Sequence, residues 1–157
     1  MNHSRIIISL ILCLFLFSWK AFAESPERLN NKAINKYKEG NTQEALEYMN
    51  QAIQLSQGNP ILYSNRGVLK ARLKDEFGAL ADYNKAIELK PSDAHCLALI
   101  YFNRGKLKLK RNKIEAAIRD FDKAISFDPK YAPPYKARAK AKWKSAQADF
   151  ILYHKKK

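Results

Sequence analysis

From residue 26 onwards the chain runs in short bursts in which apolar side chains recur every three or four positions, separated by small polar clusters. That period puts the apolar residues on one face of an α-helix. The polar clusters read as joints. Gly40-Asn41-Thr42 ends one helix and caps the next, Gln57-Gly58-Asn59 separates the first helix pair from the second, and Lys74-Asp75 and Asn112-Lys113 fall where equally tight turns are due. Asn59-Pro60 supplies an N-cap followed by a proline at the first helical position. A further helix is predicted over 132–153, where Tyr135, Ala139, Trp143, Ala146, Phe150 and Tyr153 make one apolar stripe, with Lys136, Lys140 and Lys144 directed away from it.

The bursts are copies of one another. Ala45, Ala79 and Ala117 are spaced by 34 and then 38 residues, and so are Ala52, Ala86 and Ala124, each followed by isoleucine. Bulky residues keep the same phase: Leu46, Leu80 and Ile118, then Met49, Tyr83 and Phe121, then Leu55, Leu89 and Phe127. DYNKAIELKP (82–91) and DFDKAISFDP (120–129) are nearly one string, and SNRG (64–67) and FNRG (102–105) lie upstream of them. A period of 34 with small residues at these offsets and a closing proline resembles the tetratricopeptide repeat, a helix-turn-helix unit. The resemblance covers 26–131 as three units, 26–59, 60–93 and 98–131. In the first, Gln57 replaces the closing proline and Ala33 stands in for glycine. Small residues are needed there because a large side chain would hold the paired helices apart. The extra Ala94–Leu97 is close to one helical turn and lengthens the third unit's first helix without rotating its faces. The resemblance implies an all-α fold: a right-handed helical solenoid of three helix-turn-helix repeats plus a C-terminal capping helix over 132–157. The stripe of that helix is expected to cover the third repeat while its lysines and the tail Lys155-Lys156-Lys157 face water.

Residues 1–23 stand apart. Met1 to Arg5 carries one positive charge, Ile6 to Phe17 is apolar except for Ser9, and Ala21-Phe22-Ala23 offers the small-x-small pattern that signal peptidases read. The apolar run falls short of the roughly 20 residues a spanning helix needs, so a cleaved secretory signal and an exported chain, periplasmic or secreted, are expected. Cys13 lies between Leu12 and Leu14, not the small residues a lipid-attachment site wants. Cleavage leaves Cys96 alone, unable to form an internal disulfide; it is either a small filler at a helix start or a reactive thiol.

Charge is divided along the chain. The formal net charge is +14, yet residues 24–97 hold ten basic and ten acidic side chains whereas 98–157 hold seventeen basic against five acidic. A basic half beside a neutral half points to an acidic partner or an anionic surface, and export argues against nucleic acid.

No catalytic constellation is legible. His95 and His154 are far apart with no ligand at metal-binding spacing, and there is no Gly-rich phosphate loop, GxSxG or HExxH. The residues point away from an enzyme, with no cofactor and no metal. The resemblance implies instead that the first helix of each pair lines a concave groove. Asn65 and Asn103 each precede the repeat glycine by two positions, and Asn31 precedes Ala33 likewise. A carboxamide both donates and accepts, so such a row is suited to an extended peptide backbone; the alternative is that these asparagines link neighbouring helices. One turn on come Ile34, Val68 and Lys106, then Lys38, Arg72 and Lys110, so the groove grows more basic towards the third unit. Relatives that grip the C-terminal carboxylate of heat-shock chaperones use basic and Asn side chains here, but Ile34 and Leu99 occupy two of those slots and only Asn65 matches. The expected function is therefore an exported protein-interaction module for an extended peptide or acidic partner. The second reading is a peripheral binder of an anionic membrane or envelope surface through the basic half, with the 132–153 helix lying in the interface. Export predicts a mature N-terminus at Glu24, and N-terminal sequencing of the protein from its producing cells checks it: Met1 on the bulk of the chain would remove the compartment argument.

Overall fold

A computed structural model describes residues 24–155. The segment read as a signal peptide, 1–23, and the terminal Lys156 and Lys157 lie outside the described residues, as does the side chain of Tyr153. Seven helices follow in order: α1 (Pro26–Lys38), α2 (Thr42–Leu55), α3 (Pro60–Arg72), α4 (Glu76–Glu88), α5 (Ala94–Lys110), α6 (Ile114–Phe127) and α7 (Pro133–Lys155). No strand occurs among the described residues. The helices pack as the pairs α1–α2, α3–α4 and α5–α6, each pair leaning on the next through α2–α3, α4–α5 and α6–α7. The product is a helical solenoid.

Local chemistry sets the helix ends. Ser25, Asn59, Asp75 and Asp93 each accept a backbone N–H of the helix they precede. The turn inside each pair passes through a left-handed residue, Gly40, Lys74 and Asn112 in turn, at φ of 90°, 67° and 59°. Only the first, a glycine, lacks the Cβ that makes this conformation costly. At 17 residues α5 is four longer than α3, so the Ala94–Leu97 insertion is absorbed as one more helical turn.

The repeated alanines are the points of closest approach. Ala45, Ala79, Ala117, Ala52, Ala86 and Ala124 are all wholly buried, and Met49, Tyr83 and Phe121 fill the space between them. The third bulky row is different: Leu55 is exposed, and Phe127 stacks on Tyr101 at 5.6 Å near the surface. Gly67 and Gly105 are forced by contact rather than by backbone angle. A Cβ added to them would lie 2.8 Å from the Tyr83 ring and 2.7 Å from the Phe121 ring.

One sequence expectation is overturned. In α7 the face on the third pair is Pro134, Ala137 and Ala141, with Ser145 bonded to Glu115. The stripe of Tyr135, Ala139, Trp143, Ala146 and Phe150 points the other way, into solvent. The stripe was assigned by size, but the space beside α6 is narrow and small residues let the two helices approach.

Gly67→Ala and Ala86→Leu should each cost about 1–3 kcal/mol of stability, as an overpacked contact does, and lower the denaturant midpoint accordingly. An unshifted urea melt for both would contradict this packing.

Candidate functional site

The first helices of the three pairs are joined side by side. Asn65 of α3 donates through Nδ2 to Oδ1 of Asn30 on α1, at 2.9 Å. Between them runs a groove in two connected stretches. The first is walled by Ile34, Tyr37, Met49, Val68 and Leu69, with Asn65 as its polar group. The second continues past Tyr37 and Val68 to Arg72, Asn103, Lys106 and Lys110. The groove is thus apolar at one end and cationic at the other.

Seven of the nine residues singled out from sequence come together here: Ile34, Asn65, Val68, Arg72, Asn103, Lys106 and Lys110. Asn31 and Lys38 do not; both are exposed and line neither stretch. Asn30, one residue earlier, is the side chain that meets Asn65. Sequence reasoning also missed Tyr37, which lines both stretches. Its signal was its place three residues after Ile34, on the same helical face.

The cations of the groove are not equivalent. Lys110 is tied to Glu76 at 2.9 Å. Arg72 and Lys106 have no ion pair among the described residues. The Lys106 ammonium lies 4.8 Å from the centre of the Phe102 ring, and desolvation holds its pKa below the usual lysine range. A charge in that state gains from any carboxylate brought beside it. Among the described residues the Asn103 carboxamide makes no hydrogen bond, whereas that of Asn65 has its amide engaged and its oxygen open.

A larger cleft between α5 and α6 holds Arg104, Lys108, Asp120 and Asp122. Four of its charges are answered internally, whereas Arg119 and Lys123, which also line it, have no ion pair among the described residues. Arg104 and Lys108 both bind Asp120, and Arg138 of α7 binds Asp122. Cys96 is half-buried near the start of α5, and burial pushes its thiol up, opposite to the shift of an activated nucleophile. That favours the filler reading. No cluster of His, Cys, Asp and Glu among the described residues is arranged to hold a metal, and no described helix is long and apolar enough to cross a membrane.

Stacked helix pairs with an open groove across their first helices define a protein-interaction module built from helical repeats. The chain carries tetratricopeptide repeats: models described as Tetratricopeptide repeat match residues 26–59 and 98–131. Among curated relatives it is similar to the heat shock protein sti1 homolog of Schizosaccharomyces pombe, 42% identical over 65 residues, 41% of this chain. That stretch spans only 11% of the relative's length. Among solved structures, the first TPR of Spaghetti (RPAP3) bound to the HSP90 peptide SRMEEVD superposes with a TM-score of 0.71 at 24% identity, covering 78% of this chain and 94% of that one. The Sgt2 TPR domain of Aspergillus fumigatus gives 0.72 at 17% identity, covering 79% and 81%. Identities this low show a shared fold.

Proposed function

We propose that the groove holds an extended acidic peptide, with an apolar side chain in the Ile34–Tyr37–Val68 end and carboxylates at the Arg72–Lys106 end. The observation that carries this is the pair of unmatched cations, Arg72 and Lys106, lining the groove beside the free carboxamide of Asn103. The peptide on the RPAP3 neighbour, SRMEEVD, has this chemistry, two glutamates and an aspartate around a valine. Ile34 and Leu99 stand where carboxylate-gripping relatives need polar or basic groups, so selectivity for that particular tail is not part of the proposal. The module acts on exported partners if 1–23 is removed as a signal. Exposed Lys136, Lys140 and Lys144 on α7 favour the second reading, contact with an anionic surface.

SRMEEVD and a version with Gln and Asn in place of its acids serve as probes for the full-length chain. The acidic peptide should bind more tightly. Asn103→Ala should weaken binding by about 0.5–1.5 kcal/mol, one hydrogen bond, and change the melting temperature little, because the half-buried carboxamide has no hydrogen bond to lose among the described residues. Asn65→Ala is a poorer probe because it also removes the bond to Asn30. Lys106→Glu with Lys110→Glu should lower affinity strongly at low salt and less at high salt. Since a bound carboxylate favours the charged form of Lys106, whose free pKa is already lowered, affinity should fall as pH rises into the alkaline range. Equal affinity for both peptides, unchanged by the charge reversal, would sink the groove; anionic vesicles binding in their place would support the surface reading.

A further inference from the structure

Helix α7 repeats the first helix of a unit, and the second helix of that unit is missing from the described chain. Tyr135, Arg138 and Ala139 follow Tyr101, Arg104 and Gly105 by 34 residues. The contacts repeat with the spacing. Arg66, Arg104 and Arg138 lie 5.5, 5.1 and 5.6 Å from the ring centres of Tyr63, Tyr101 and Tyr135. Leu62 and Leu69, Ile100 and Leu107, and Pro134 and Ala141 are the successive buried pairs facing the preceding unit. Asp122 receives Arg138 just as Asn50 and Asn84 receive Arg66 and Arg104.

The other face of the helix breaks the pattern. In α3 and α5 it is closed by the unit's own second helix, so tightly that Gly67 and Gly105 have no room for a Cβ. In α7 the same positions are open: Ala139, at the place of Gly67 and Gly105, is exposed, and Trp143, at the place of Ala71 and Leu109, is 64% exposed. The charges are incomplete as well. Arg104 and Lys108 share Asp120 of the second helix, and Arg66 and Lys70 share Asp82. Their counterparts have no such carboxylate: Arg138 holds only Asp122 of the preceding unit, and Lys142 has no ion pair among the described residues. The chain does not fold back to supply one, because α7 runs on to Lys155 past the position where earlier units turn at Lys74 and Asn112.

We propose that the open face of α7 is a docking site for an acidic amphipathic helix of a partner protein. It lies where the fourth unit's second helix would lie, with an aspartate between Arg138 and Lys142. The internal second helices show what fits, since both read Ala-x-x-Asp-aromatic-x-x-Ala (Ala79 to Ala86 and Ala117 to Ala124). Charge decides the kind of occupant. Lys136 and Lys142 border the apolar stripe on its two sides, so a second copy of α7 would meet it with like charge, whereas acidic rims complement it.

The test uses the full-length chain and a fluorescein-labelled, helix-stapled peptide of sequence 113–131 made acidic by Arg119→Glu and Lys123→Glu, followed by anisotropy. Saturable binding is expected. Trp143→Glu should weaken it by about tenfold or more, as removal of a buried aromatic anchor does. The fold should be unaffected, because that side chain is exposed in the free protein. Lys142→Glu should lose the peptide and recover binding to its Asp120→Lys version. Lys106→Glu should change nothing, which separates this face from the groove. Absence of binding, indifference to Trp143→Glu, or failure of the charge-swapped pair overturns the proposal. So does binding of anionic phosphatidylglycerol vesicles without the peptide, or self-association abolished by Trp143→Glu; these would assign the face to a lipid surface or to a second copy.

Discussion

The Arg66 guanidinium donates to both oxygens of Asp82, at 2.9 and 2.7 Å, and to the side chain of Asn50 at 3.1 Å, so one planar group touches three helices of two successive pairs. Lys70 adds a contact to the same carboxylate at 2.9 Å. Asp82 is almost wholly buried, and a buried carboxylate is tolerated only where its oxygens are filled. Among the described residues no buried side-chain polar atom lacks a partner. Because the guanidinium is rigid and its donors fixed in a fork, the position of one pair on the next is dictated by the pairing. Arg104 with Asp120 and Asn84 repeats the device one unit on. These clamps hold α3 and α5 in place on their neighbours, and the Asn65–Asn30 bond ties α1 to α3, so the groove has a fixed shape.

The clamps also account for where the positive charge goes. In the basic half, Arg104 and Lys108 answer Asp120, Arg138 answers Asp122, and Lys110 and Arg111 answer Glu76. These cations are structural, and counting them towards a binding surface would overstate it. Cations without an ion pair among the described residues include Lys106, which lines the groove with Arg72 of the neutral half, Arg119 and Lys123 beside the α5–α6 cleft, and the lysines of α7. Lys140 and Lys144 follow Lys106 and Lys110 by 34 residues, so the cationic end of the groove continues along the same rows onto α7. The charge asymmetry of the sequence is therefore real, but only part of it is available to a ligand.

The fold was legible because its period was. Alanines in phase at 34 and 38 residues fix which faces touch, and all six are buried. The groove was legible to the extent that it repeats: Asn65 with Asn103, Val68 with Lys106, Arg72 with Lys110. It failed at the first unit, where no preceding pair constrains α1. There Asn31, in register with Asn65, is exposed and Asn30 makes the contact. The clamps were hidden because Arg66 and Asp82, or Arg104 and Asp120, are 16 residues apart. No single-helix periodicity joins them; only two helices folded together do. Both residues are visible in the repeated strings SNRG, FNRG, DYNKAIELKP and DFDKAISFDP, but their pairing is not.

The largest misreading, on α7, follows from treating a terminal helix as a lid. A lid needs one apolar face, so the large side chains were assigned to it. A first helix in this architecture needs two, one for the preceding pair and one for its own partner, and in α3 and α5 both are filled. Helix α7 kept both. Its small face, Pro134, Ala137 and Ala141, suffices for the contact with α6 because close approach makes up for small area. Its large face, with Trp143 and Phe150, has nothing to bury it within the described chain. A helix evolved only to end the stack would carry polar residues there, since an exposed tryptophan gives no stability and invites aggregation. The aromatic stripe flanked by lysines is therefore better explained by something that covers it than by the stability of the solenoid itself.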